Sequence, residues 1–140
     1  MKETGAINRG IDAAISKQGH GDLLMVTDAG FAIPLGVEVI DLSLDENKPM
    51  VLEVLEMLKK YFSVEKMIMA NETKNISPTL FSNISKAFVD GVPVETIEHS
   101  ALKEMSKTVK TIIRTGDFTA YGNVILVSGA GGRWKVERAG

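Results

Sequence analysis

The sequence predicts an α/β fold: a single three-layer domain over residues 1–140, in which a mainly parallel sheet is flanked by helices. Three observations predict it. Short apolar runs bounded by glycine, proline or acidic residues alternate along the chain with segments of helical periodicity. The runs are dominated by apolar residues in succession, as in "LLMV" and "VILV", which is the pattern of strands covered on both faces. At 140 residues the chain has the length of one domain, enough to bury roughly two thirds of its unfolded surface, and no internal repeat or low-complexity linker divides it.

Ile7, Ile11, Ala14 and Ile15 recur at helical spacing between a Thr4 cap and a stop at Gly19, so the first element is a helix. "LLMVTD" and "VEVIDLSL" follow as two buried strands, the second bounded by Pro34, Gly36 and "DENK". "NKPMVLEVLEMLKKYF" is the clearest helix, with Asn47 as cap, Pro49 near the first turn, and Val51, Leu52, Leu55, Leu58 and Phe62 on one stripe. "VEKMIMA" reads as a strand, and "ISPTLFSNISKAF" as a helix with Ser77 as cap and Pro78 at its first position. "VPVETIEH" is a strand, "SALKEMSKTVK" a helix and "NVILVSG" the last strand. The tail "SGAGGRWKVERAG" reads as a loop or loose end, divergent in character over 130–140; its "GAGG" lacks the following helix that a phosphate loop requires.

Composition excludes several function classes. With no cysteine there is neither a disulfide framework nor a thiolate site, and the composition fits a reducing compartment. The start "MKETGAINRG" lacks a signal-peptide core and no run reaches membrane-span length, so the expectation is a soluble cytoplasmic protein with no membrane partner. The 16 basic and 18 acidic residues are interspersed, to a net charge of −2, and aromatics are scarce, which argues against nucleic acid as a partner. Lys107 and Lys110 recur beside Glu104 as a solvated helix face.

In an open α/β sheet, ligands bind beyond the carboxyl ends of the strands. Asp28 ends "LLMVTD", His99 closes "VPVETIEH", and His20 lies between Gly19 and Gly21 just before the first strand. Taken singly, each has a plainer reading: an exposed turn residue, a turn cap, a helix-start residue. Together they gather both histidines of the chain, the side chain that exchanges protons near neutral pH, with glycines that allow close approach. The strand after His20 is expected to carry Asp28 to the same edge of the sheet. Lys103, four residues after His99, shares its helix face. In "TAYGNVIL" the alternation of an extended segment puts Tyr121 and Asn123 on one side, with Gly122 giving room. Such a set of groups suits a polyhydroxylated ligand.

The segments "GHGD", "TDAGFAIPLGVEVIDLSL", "EHSALK" and "IIRTGDFTAYGNVILVSG" resemble, in order and spacing, the D-ribose pyranase (RbsD/FucU) family of sugar mutarotases, from the first helix to about Gly129. The resemblance implies a cytoplasmic isomerase that interconverts the β-pyranose and β-furanose forms of ribose, supplying furanose for ribokinase, with no metal or organic cofactor. It also implies a homo-oligomer, typically a decamer of two pentameric rings with sites between neighbouring subunits. Residue by residue it makes His20 the proton donor and Asp28, His99, Tyr121, Gly122 and Asn123 the sugar-binding residues. Gly122 stands where the family usually has alanine, Ala120 where proline is common, and Thr27 where a small apolar residue precedes the aspartate; the tail beyond Gly129 departs from the family's ending. Other readings weighed against this one are a mutarotase for fucose or another sugar, a non-catalytic sugar-binding subunit of a transport system, and a metal site of His20, Asp28 and His99.

Overall fold

The middle layer is one six-stranded sheet, in a computed structural model that describes residues 1–88 and 91–137. Its strands are β1 (Leu23–Thr27), β2 (Glu38–Asp41), β3 (Val64–Ala70), β4 (Val94–Ile97), β5 (Thr111–Arg114) and β6 (Val124–Ser128), in the order β2-β5-β1-β6-β3-β4. Five run parallel, and β6 is antiparallel to both of its neighbours. The helices are α1 (Arg9–Ser16), α2 (Val51–Leu58), α3 (Asn71–Ile76), α4 (Pro78–Ser85) and α5 (His99–Met105), the last continued by a 3₁₀ turn, Ser106–Thr108.

Successive residues of the apolar strands serve two cores, because strand side chains alternate between faces. Leu24 and Val26 of β1 join Met67, Met69, Ile113 and Leu126 in a core covered by Ile11 of α1, Val51, Leu55 and Leu58 of α2, and Ile84 of α4. Met25, between them, points the other way to Ile68, Ile112 and Ile125, covered by Leu102 of α5. This is the three-layer arrangement that continuous apolar runs predict.

The differences from expectation have local causes. Helix α1 begins at Arg9, since Asn8 is the better cap: its Oδ1 accepts from the backbone N–H of Ile11 at 3.0 Å, and Ile7 is left exposed outside the helix. β2 is an edge strand and mostly exposed rather than buried. Asn47 does not cap α2; it takes φ 56° in a turn and its Oδ1 accepts from the N–H of Phe118, while Met50 is the N-cap, with its own N–H bound by Glu53. The Lys48–Pro49 peptide in that turn is cis. Gly116 faces it so closely that a β-carbon there would lie 2.4 Å from the carbonyl oxygen of Asp45, so this position admits only glycine.

The predicted helix "SALKEMSKTVK" ends early, and a strand that the sequence did not signal, β5, follows it. The chain leaves α5 at Met105, and Val109 is already extended. β5 then lies between β2 and β1, one strand in from the edge of the sheet. After β5 the chain crosses the carboxyl edge through residues 115–123 and enters β6 without a helical crossover, which is why β6 runs antiparallel. That turn puts the start of β6 beside the end of β1, with Val124 opposite Val26. The described part of the tail, up to Glu137, forms neither helix nor strand, and residues 138–140 lie outside the described residues.

Candidate active site

The carboxyl ends of β1 and β4 and the turn into β6 enclose a cavity of about 630 Å³, lined among others by Asp28, Phe31, His99, Lys103, Asp117, Tyr121 and Asn123. Five of the residues singled out in the sequence therefore meet in one chain. Gly122, the sixth of the residues expected to bind a sugar, supplies backbone: its N–H donates to Asp28 Oδ2 at 3.2 Å.

Asp28 is the hub. Its other oxygen, Oδ1, accepts from the N–H of Gly30 at 3.0 Å, and its own N–H donates to Asn123 Oδ1 at 2.9 Å. Burial pushes the Asp28 carboxyl above its ordinary value of 3.8, and the N–H groups of Gly30 and Gly122 hold it partly back. Because the folded value lies above the unfolded one, the folded chain retains the proton longer as pH rises. This carboxyl therefore favours folding most below 3.8 and loses that contribution as pH climbs through the raised value.

Tyr121 and Asn123 do not lie on an extended segment. Tyr121 sits at φ 56°, a left-handed conformation that L-residues rarely adopt, and the N–H of Asn123 donates back to the Tyr121 carbonyl at 2.9 Å. The turn is held from below: Thr73 Oγ1 donates to the Tyr121 carbonyl at 2.6 Å and Ser77 Oγ to that of Ala120 at 2.7 Å. Ser77 thus precedes α4 but spends its hydroxyl on the site turn. The reward is the placement of the phenol ring, which meets the His99 imidazole edge to face at 5.0 Å, with Phe31 on the same imidazole at 6.0 Å.

His99 is the first residue of α5, its N–H bound by the Glu72 carboxylate at 3.1 and 3.2 Å. Its Nδ1 is buried and has no hydrogen-bond partner among the described residues. Lys103, one turn further on, is exposed and lines the same cavity.

Three contributors escaped the sequence reading. Asp117 is buried at 1% exposure; Oδ2 accepts from the N–H of Val51 at the start of α2 at 3.0 Å, Oδ1 from Thr119 at 2.8 Å, and its carbonyl from the N–H of Ala29 at 2.9 Å. Arg114 ties the β1 and β2 exits together through the Ala29 carbonyl at 2.8 Å and Asp41 at 3.0 Å. Asp117 and Arg114 follow the rule that singled out Asp28, a polar residue at a strand's carboxyl end, and were missed because β5 was missed. Phe31, packed on His99, carried no signal beyond its nearness to Asp28.

His20 lies elsewhere, and the expectation that β1 carries Asp28 to its edge is corrected. A residue before a strand and one after it stand at opposite ends, and the five residues of β1 separate them by about 16 Å at roughly 3.3 Å per residue. His20 is exposed on a second hollow of about 330 Å³, beside Gln18, Tyr61, Ser128 and Trp134. Its Nε2 pairs with Glu65 Oε2 at 2.9 Å. The alternative metal set of His20, Asp28 and His99 therefore does not gather within one chain, and no cluster of metal-binding side chains occurs among the described residues.

Thr27, the residue before Asp28, is fully buried and its hydroxyl has no partner among the described residues. Thr27→Val keeps the shape and removes a desolvated hydroxyl, and should stabilise the fold by about 1 kcal/mol. A rise of a few degrees in Tm is the expected result of thermal unfolding; a fall would show that the hydroxyl is satisfied.

Known proteins share this fold. Residues 1–131 match the RbsD / FucU transport protein family. A D-ribose pyranase of Limosilactobacillus reuteri is 40% identical over 129 residues, covering 92% of this chain and 98% of that protein. One of Thermotoga neapolitana is 43% identical over 132 residues, with 92% and 98% covered. The structure of Bacillus subtilis RbsD complexed with D-ribose superposes with TM-score 0.88 at 34% identity, over 93% of this chain and 98% of that one. The fucose mutarotase of Streptococcus pneumoniae, solved with L-fucose, shares the fold at TM-score 0.69 and 19% identity, over 89% and 94%. Trp134 and the tail around it lie beyond the matched span. With nearly the whole sequence matched and relatives at about two-fifths identity over most of their length, the chain belongs to the RbsD / FucU family.

Proposed function

We propose that the protein is a D-ribose pyranase, an isomerase that opens β-ribopyranose and recloses it as β-ribofuranose. The observation that carries this reading is the convergence of Asp28, His99, Lys103, Tyr121 and Asn123 on one cavity of about 630 Å³, within the range of small-ligand sites. Relatives at 40% and 43% identity are D-ribose pyranases.

Ring opening moves two protons and breaks one carbon–oxygen bond. An acid protonates the ring oxygen as the C1 to ring-oxygen bond breaks, its electron pair going to that oxygen. The anomeric hydroxyl loses its proton to a base, and C1 becomes the aldehyde. Attack by a different hydroxyl on C1, with the proton transfers reversed, gives the furanose. His20 is the acid in this account; His99, with an unpartnered buried nitrogen, and Asp28 and Tyr121 receive the sugar hydroxyls, while Lys103 and Asn123 orient them. Positioned acid and base groups contribute about 10²- to 10⁴-fold, and holding the open chain folded for reclosure adds to this.

Since His20 stands a strand's length from Asp28 in its own chain, the His20 of a second copy completes each site. A ring in which every copy gives its His20 to one neighbour and receives that of another meets this need, and a decamer of two pentamers is such an assembly. Phe118, 63% exposed on the cavity's rim, and Leu35, fully exposed on the segment after Phe31, offer apolar surface for the neighbour to cover. No helix among the described residues is long and apolar enough to cross a membrane, and we infer a cytoplasmic enzyme whose furanose product passes to a sugar kinase such as ribokinase.

Saturation-transfer NMR of ribose and fucose tests the function. Catalytic amounts of protein should speed exchange between pyranose and furanose ribose well above that of fucose. Ribose binding without any gain in rate would leave a sugar-binding protein instead, and faster exchange for fucose would reassign the substrate.

A further inference from the structure

We infer that Glu65 is a positioning residue for His20: its carboxylate holds the imidazole by Nε2 and so turns Nδ1 to the sugar. The inference rests on the proposed role of His20 and names how that role is set up. Glu65 is the second residue of β3, at the sheet edge opposite the cavity, and its Oε2 lies 2.9 Å from His20 Nε2. A carboxylate can only accept, so in the neutral ring the proton sits on Nε2 and the lone pair on Nδ1. Nδ1 is then the nitrogen that gives its proton to the ring oxygen when the imidazole is doubly protonated and takes one back on reclosure, while Nε2–H stays with Glu65 throughout.

Two further features reserve this geometry. A β-carbon on Gly129 would lie 2.5 Å from the Glu65 β-carbon and 2.5 Å from its Oε2, so any other residue there would push the carboxylate off its path to His20. Gly129 is held in place by Ser63, whose Oγ donates to its carbonyl at 2.7 Å. The loop carrying the imidazole is pinned next to it, by the N–H of Gly21 on the Ser128 carbonyl at 2.7 Å and by the N–H of Gly19 on Asp22 at 2.7 Å. Both partners of the pair are partly exposed, at 69% and 39%. An ion pair of that kind contributes little to folding, which leaves orientation as its effect.

Glu65→Gln and Glu65→Met, made in the full chain and checked for unchanged assembly by size-exclusion chromatography, test this. Long-range ¹H–¹⁵N correlation spectra should show neutral His20 as the Nε2–H tautomer in the parent protein and as a mixture in Glu65→Met. The pyranose to furanose kcat should fall on the order of tenfold in Glu65→Met with KM for ribose nearly unchanged, and less in Glu65→Gln. An unchanged tautomer and an unchanged kcat in both variants would overturn the role of Glu65. If His20→Gln abolishes exchange in the same assay, that outcome leaves the acid role of His20 standing; if His20→Gln is itself fully active, the reading beneath this inference is the one that fails.

Discussion

His20→Gln should abolish pyranose to furanose exchange while leaving ribose binding detectable. The imidazole is the group in this account that gives a proton to the ring oxygen, and glutamine keeps the size and hydrogen-bonding character of the side chain but cannot exchange a proton near neutral pH. The expected loss is about 10²- to 10⁴-fold, toward the rate in water. Binding should survive because the groups proposed to receive the sugar, Asp28, His99, Lys103, Tyr121 and Asn123, are unchanged and line one cavity, while the residue lost from the neighbouring copy is the one assigned to proton transfer. The fold should be untouched, since the His20 side chain is 69% exposed. Exchange NMR at saturating ribose checks the rate, and titration calorimetry the binding; undiminished exchange would remove His20 from the mechanism.

Asp28→Asn should lower kcat/KM for ribose about a hundredfold, through binding as much as through turnover. Both carboxylate oxygens accept backbone N–H groups, Oδ1 from Gly30 and Oδ2 from Gly122. An asparagine amide offers one acceptor, so its NH₂ must face one of these donors and leave that N–H unsatisfied, at about 1–3 kcal/mol. The Gly122 contact matters more, because it clamps the turn in which Tyr121 is held at φ 56°. Releasing the turn should free the phenol from the His99 imidazole and disperse the residues proposed to bind the sugar. The change also removes a carboxyl whose burial raises its pKa, so above the raised value part of the stability lost with the N–H contact is regained. Steady-state kinetics beside thermal unfolding at two pH values separate the two effects; full activity would mean that Asp28 does not organise the site.

The layer architecture was legible in the sequence because buried parallel strands leave continuous apolar stretches, as "LLMV" and "MIMA" do. β5 was not, since "TIIR" follows a helix whose lysines and valine continue at helical spacing to Lys110, and nothing local marks the 3₁₀ turn that ends it. Asp117 and Arg114 were lost with it. Asp28 and His99 were found by the rule that ligands gather at strand carboxyl ends. Tyr121 and Asn123 were found for a wrong local reason, as neighbours on an extended segment, whereas a left-handed turn brings them together. The separation of His20 from Asp28 follows from strand direction alone.

Mixing the two inactive variants tests the proposed two-chain site. His20→Gln and Asp28→Asn chains, unfolded together in equal amounts and refolded into one assembly, should recover activity. A site formed by His20 of one copy and Asp28 of its neighbour is intact whenever the first chain is the Asp28 variant and the second the His20 variant, so about a quarter of the sites should work. Recovery near a quarter of the parent's rate is the predicted result. If each site lay within one chain, every site would carry one of the two defects, and a mixture no more active than its components would contradict the account.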